Sequence, residues 1–130
     1  MSKVDDSVPG VGLSTFMASG SDGSTPLDAT KQAVASGSGR IYGYWFTNSD
    51  STQGNFIHFY DAVSSNVTVG TTAPLFTLSP AAGISGNLSI PYGIQFRQGL
   101  TVSATNSAGG NTNPATAVDL VIWYALSNLL

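Results

Sequence analysis

From Thr30 onward, apolar and polar residues alternate in steps of two. That is the period of a strand with one face turned to a core and the other turned away from it. The pattern predicts short strands at "TKQAVA" (30–35), at the aromatic-rich "RIYGYWFTN" (Arg40–Asn48), and at "NFIHFYDA" after the turn "STQG". Further strands follow at "LFTLS" (75–79) and in the stretch "NLSIPYGIQFRQGLTVSAT". This stretch breaks at Pro91-Tyr92-Gly93 and turns at Gly99, which divides it into Asn87–Ile90, Ile94–Arg97 and Leu100–Thr105. "TAVDLVIWYALS" (116–127) is the longest predicted strand. About seven to eight strands, spaced by turns rich in Gly, Asn and Pro, predict an all-β antiparallel sandwich or jelly-roll. A helical spacing is faintly present only in Ser24–Ala35, and it is too weak to predict a helix.

Alternation also assigns faces. Leu100, Val102 and Ala104 oppose Thr101, Ser103 and Thr105, while Ile57 and Phe59 oppose Phe56, His58 and Tyr60. In the last strand Val118, Leu120, Ile122 and Tyr124 share a face, yet the opposite face carries Val121, Trp123 and Ala125 beside Asp119. Tyr42, Tyr44 and Phe46 likewise oppose Ile41 and Trp45. Strands apolar on both sides are covered on both sides. One sandwich core covers one side only, so the pattern predicts that the other meets an arm, a loop or a second chain.

Residues 1–29 break the period. They hold Pro9, Gly10, Gly12, Gly20, Gly23 and Pro26 around a small apolar cluster, Val11, Leu13, Phe16 and Met17. The expected organisation is an extended N-terminal arm, 1–29, and a β domain, 30–130. The apolar cluster would anchor the arm on a partner.

Composition narrows the function classes. Charged residues make up 8% of the 130 residues, against about 25% in an ordinary soluble domain. All acids are aspartates, and the only bases are Lys3, Lys31, Arg40 and Arg97. With a formal net charge of −3, the chain lacks the cations that a phosphate backbone requires, so no nucleic-acid partner is expected. No window is long and apolar enough to predict a membrane span, and no membrane partner is expected. Met1-Ser2-Lys3 precede no apolar run of signal-peptide length, so synthesis in a cytoplasm is expected. A surface built from Ser, Thr, Asn and Gly fits a protein that lives on a larger assembly.

Candidate chemistry is sparse. His58 is the one histidine, and among so many serines a Ser-His-Asp arrangement can always be imagined; its neighbours Phe56 and Tyr60 predict a structural place on a strand surface. Without Cys or Glu and with a single His, a zinc site lacks ligands. The loop "NSDSTQGN" offers oxygens at Asn48, Asp50 and Thr52, but its Gly falls one place late for a calcium loop and no closing acid follows. It reads as a turn. Neither a catalytic residue nor a cofactor is expected.

Several stretches carry a resemblance: "RIYGYWFTN", "NFIHFYDA", "APLFTLSPAAG", "LSIPYGIQFRQGLTVSAT" and "VDLVIWYAL". Their order, and the spacing of Pro91-Tyr92-Gly93, Phe96 and Gly99-Leu100 before the closing strand, resemble a β-sandwich domain of tailed-phage virion proteins. The resemblance spans Arg40 to Leu126. It implies a structural protein on the virion surface, most like a capsid decoration (cement) protein that binds the outside of the major capsid protein shell as a trimer. A tail or head-fibre component is the alternative in the same class. From another class comes a carbohydrate-binding module with Tyr42, Trp45 or Trp123 as its sugar platform. The residues expected at an interface are Val11, Leu13, Phe16, Met17, Tyr42, Tyr44, Val121 and Trp123.

Overall fold

The computed structural model describes residues 13–127. Eight strands are present there: β1 (Ser14–Ala18), β2 (Gln32–Ser36), β3 (Gly39–Thr47), β4 (Phe56–Tyr60), β5 (Phe76–Leu78), β6 (Ser85–Phe96), β7 (Gly99–Thr105) and β8 (Asp119–Leu126). They form two four-stranded antiparallel sheets, ordered β1-β8-β3-β6 and β2-β7-β4-β5. The pairing is nested: first strand with last, second with seventh, third with sixth, fourth with fifth. The chain is one long hairpin rolled over so that its two arms close into a sandwich, which is a jelly roll. Helical structure among the described residues amounts to single 3-10 turns at Gly20–Asp22 and Ser64–Asn66 and the 3-10 conformation of Ser127 after β8. Ser24–Ala35 carries instead the Leu27–Val118 bridge and the start of β2.

The core lies between the sheets. Ile41, Phe96, Leu120 and Ile122 come from one sheet; Ile57, Phe59, Leu100, Val102 and Ala104 come from the other, and all are buried. Phe59 stacks on Phe76 at 4.3 Å between ring centroids, while Tyr44 reaches across the sandwich to within 6.0 Å of the Phe59 ring. Asp61, just after β4, accepts the backbone N–H groups of Arg97 and Gln98 at 2.8 and 2.9 Å. This carboxylate pins the two-residue link that carries the chain from β6 in one sheet to β7 in the other.

Two expectations change at Pro91-Tyr92-Gly93. The segments on either side are one strand on one partner, not two strands divided by a break. Ser89 pairs with Gly43 and Ile94 with Ile41, so four residues, Ile90 to Gly93, stand opposite Tyr42 alone. Pro91 has no N–H for a ladder, and β6 is an edge strand where none is needed. Gly93 takes φ 77°, a left-handed conformation that a side chain disfavours, and it returns the strand to register. On its other side β3 shifts register against β8 at the same place, since Ile41 pairs with Tyr124 and Gly43 with Trp123. The extra residue, Tyr42, resets the alternation. Ile41 therefore shares the inner face with Tyr44 and Phe46, and Gly43 and Trp45 point outward.

The expected arm is different as well. Ser14–Ala18 is an edge strand of the sandwich, registered on Tyr124 to Leu120 of β8. Leu27 is fully buried and exchanges backbone hydrogen bonds with Val118 at 2.8 and 2.9 Å. The boundary at residue 29 thus separates nothing from residue 14 onward, because a strand of the same sheet and a core leucine precede it. Residues 1–12, with Val11, lie outside the described residues.

Candidate functional site

The outer face of the β1-β8-β3-β6 sheet is built from residues that point away from the core at paired positions. Met17 pairs with Val121, which pairs with Trp45; Thr15 pairs with Trp123, which pairs with Gly43. A Cβ added to Gly43 would lie 3.4 Å from Trp123 Cε3 and 3.0 Å from the Leu88 carbonyl oxygen. The indole of Trp123 lies at contact distance from this position, and the close constraint on a side chain at Gly43 is the Leu88 carbonyl of the neighbouring strand. Trp123 is 37% exposed and Met17 47%, and Leu13, exposed just before β1, extends the strip. Charge appears only at the ends of this face. Arg40 pairs with Ala125 at one end and Asp119 with Thr47 at the other. Arg40 Nη1 donates to the carbonyl of Tyr92 at 3.1 Å, which holds the bulge beside the face and leaves the Tyr92 ring 90% exposed.

The residues expected at an interface therefore divide. Leu13, Met17, Val121 and Trp123 lie on this outer surface, and Tyr42 sits half-buried at the bulge beside it. Phe16 and Tyr44 do not. Phe16 pairs with Ile122 on the inner face and packs against the core. Tyr44 is buried among Phe46 and Phe59, and burial pushes its phenol pKa up. Each is inward for a reason of pairing: β1 is a paired strand with an inside, and the bulge at Tyr42 reverses the phase of the later residues of β3. Trp45, absent from the expected interface, belongs to this surface, and the exposed ring of Tyr92 stands at the bulge beside it. Trp45 was legible as an aromatic on a two-sided strand, but Tyr92 was hidden in a segment whose Pro and Gly read as a break between strands.

The outer face of the other sheet contrasts with it. His58, Tyr60, Thr101, Ser103 and Thr105 point away from the core and are nonetheless buried, because the connections after β4 and β7 fold over them. His58 Nδ1 lies 3.0 Å from Thr77 Oγ1 and Nε2 lies 2.8 Å from Thr105 Oγ1. Thr105 gives its own proton to the Ser107 carbonyl at 2.6 Å, so it accepts from His58, whose proton is on Nε2; Nδ1 accepts from Thr77. The Tyr60 hydroxyl meets Ser103 Oγ at 3.1 Å, and Thr101 donates to the Ala62 carbonyl at 2.8 Å. Desolvation holds the His58 pKa below its ordinary value. Both ring nitrogens are engaged by threonines, which makes His58 a cross-strand tie. It is buried, not on the open strand surface that alternation predicts. His58 and Tyr60 floor a cleft of about 200 Å³ walled by Gly70–Pro74 and Ala108–Gly110.

No family model matches this chain, and no curated protein matches it. Among solved structures, one similar chain comes from work describing Bacillus endospore appendages as a novel family of disulfide-linked pili. It is 21% identical, with a TM-score of 0.41 over 89% of this chain and 87% of that one. The present chain has no cysteine.

Proposed function

We propose that this chain is a structural protein of a tailed-phage virion, without catalytic activity, that decorates the outside of the major capsid shell as a trimer and holds neighbouring shell subunits together. The observation that carries this reading is the apolar outer face of the β1-β8-β3-β6 sheet, where no loop of the described residues covers the exposed Trp123 and Met17 beside half-buried Trp45 and buried Val121. Covering what remains exposed of Trp123 and Met17 contributes about 1.5–3 kcal/mol each before ordering costs, and Trp is among the residue types enriched at the energetic centres of protein interfaces.

The sheet edges favour contact through this face over strand addition. β1 has five residues and β5 three, while β2 and β6 carry register shifts; short and bulged edges resist pairing with another chain. Few charges take part, so the adhesion is little weakened by salt. Jelly rolls serve in viral capsids and in lectins alike, so the face, not the fold, supports the choice.

The experiment adds the purified chain to undecorated shells of the phage whose genome encodes it. The expected result is saturable binding with a copy number set by capsid geometry, unchanged between about 0.05 and 0.5 M NaCl, and lost in Met17→Ser/Trp123→Ser. Density for the chain on the tail or on a fibre would move it to another virion component. Binding to immobilised glycans through Trp45 and Trp123, with none to shells, would overturn the reading in favour of a sugar-binding module.

A further inference from the structure

The loops over the polar outer face also bound a cavity of about 420 Å³. It opens between residues 67–69, Asn111 and the segment of Ala29, Thr30 and Lys31 that enters β2. Ala29, Val67 and Val69 supply apolar lining, while Thr30, Lys31, Thr68 and Asn111 supply hydrogen-bonding groups. This volume lies in the range of small-molecule sites, which pair apolar walls with a few polar groups.

The chain's own bonds hold the walls in place. The Ala29 backbone N–H donates to Asn113 Oδ1 at 3.0 Å, and the Asn106 N–H donates to the Thr112 carbonyl at 3.1 Å. These bonds bracket Asn111. Across the cavity, the Thr68 carbonyl accepts the N–H groups of Thr71 and Thr72 at 3.0 and 2.9 Å, and the Thr68 N–H donates to the Thr72 hydroxyl at 2.8 Å. Gly70 joins the two sides, since a Cβ added there would stand 3.1 Å from that of Asn111. Walls already in place need not be ordered when a ligand binds.

Lys31 is the charged group of this lining. Its half-buried side chain donates to the Val67 carbonyl at 2.5 Å, which fixes the ammonium at the cavity wall. An ammonium has three donors, so two remain. Its partner among the described residues is a neutral carbonyl. The carboxylate of Asp28, three residues earlier, accepts the Thr30 backbone N–H at 2.8 Å. An anion entering the cavity would gain charge-assisted hydrogen bonds from Lys31. One ammonium matches one negative charge, whereas a phosphate group is better served by an Arg fork or several cations. The hydroxyls of Thr30 and Thr68 and the amide of Asn111 both donate and accept, which suits a body that carries hydroxyls.

We propose that this cavity binds a small carboxylate carried on a hydroxylated ring, the chemistry of a uronic acid. Lys31 Nζ holds the carboxylate, Thr30, Thr68 and Asn111 meet the hydroxyls, and Ala29, Val67 and Val69 take the C–H surface of the ring. The site lies on the sheet opposite the apolar face, so it goes beyond adhesion to a shell and does not depend on it.

The test titrates the isotope-labelled full chain with sodium glucuronate, with glucose and with inorganic phosphate at matched ionic strength, following backbone amide resonances. Glucuronate should shift those of Lys31, Thr68, Val69 and Asn111 saturably, with a Kd of about 1 mM, the range open to a ligand of about a dozen non-hydrogen atoms. Glucose, which lacks the charge, and phosphate, which lacks the ring, should each bind at least about tenfold more weakly. Lys31→Met should abolish the response. Asn111→Asp, at an exposed position, sets a negative charge in the lining and should weaken glucuronate about tenfold, which keeps the test decisive if Lys31→Met fails to fold. The proposal is overturned if glucuronate shifts no resonance at the cavity, if glucose or phosphate binds as tightly, or if either folded variant binds like wild type.

Discussion

The two outer faces of the sandwich solve the same problem in opposite ways. Outside β2-β7-β4-β5 lie His58, Tyr60, Thr77, Thr101, Ser103 and Thr105, and the chain's own loops cover the buried members with specific hydrogen bonds. Outside β1-β8-β3-β6 lie Met17, Trp45, Val121 and Trp123, and no loop of the described residues covers the exposed Trp123 and Met17. A polar face can be closed from within, because every donor finds an acceptor at a fixed place. An apolar face offers no such directional bonds, and any surface of fitting shape can cover it. The covered face is therefore a matter of stability, and the open face is where contact with another molecule is available.

The largest effect on that contrast should come from Thr105→Val. The valine leaves the buried His58 Nε2–H without its partner, at about 1–3 kcal/mol, while the carbonyl of exposed Ser107 turns to water. A fall in Tm of roughly 5–15 °C is expected, with binding to shells retained below the melt. Scanning calorimetry alongside a pelleting assay measures both.

Trp123→Ser should show the reverse pattern. Binding should weaken by about ten- to a hundredfold, equivalent to about 1.4–2.8 kcal/mol, while Tm moves by only a few degrees. A large loss of Tm with binding intact would mean that the indole serves the fold and not a partner. The double variant should be additive in stability, because the two sites lie on opposite sheets.

A smaller effect is expected from pH. The folded His58 pKa is held below the ordinary value of about 6.5, so in mild acid the unfolded chain binds the proton that the folded chain refuses. Stability is fully present above about pH 6.5 and falls as the pH drops through the folded value. Denaturant titrations across that window should show the slope in wild type and a flatter profile in His58→Gln. Trp123→Ser should leave the slope unchanged.

Tyr92→Ala should have the smallest effect on the fold. Its ring is 90% exposed, so stability should stay within about 0.5 kcal/mol of wild type. Any weakening of shell binding would extend the open face to the bulge on β6.

Much of this architecture was legible in the residues themselves. Period-two alternation located β2, β3, β4, β5, β7 and β8 within a few residues, and Leu100, Val102 and Ala104, set on one face by alternation, all lie in the core. The apolar character of both faces of β8 was visible before any contact was known. Strand spacing and strand faces are local properties, written in neighbouring residues, so the sequence alone determines them. Pairing is not local. Nothing near Ser14 announces Tyr124 as its partner, and a five-residue edge strand in a glycine-rich segment reads as an arm until the far end of the chain closes on it. The bulge at Tyr42 likewise exists only because β6 and β8 flank β3, and that one extra residue decided that Tyr44 faces the core and Trp45 the outside. Tertiary structure alone also distinguished a polar face hidden by loops from an apolar face left open, since alternation reports two sides of a strand and never what lies across from them.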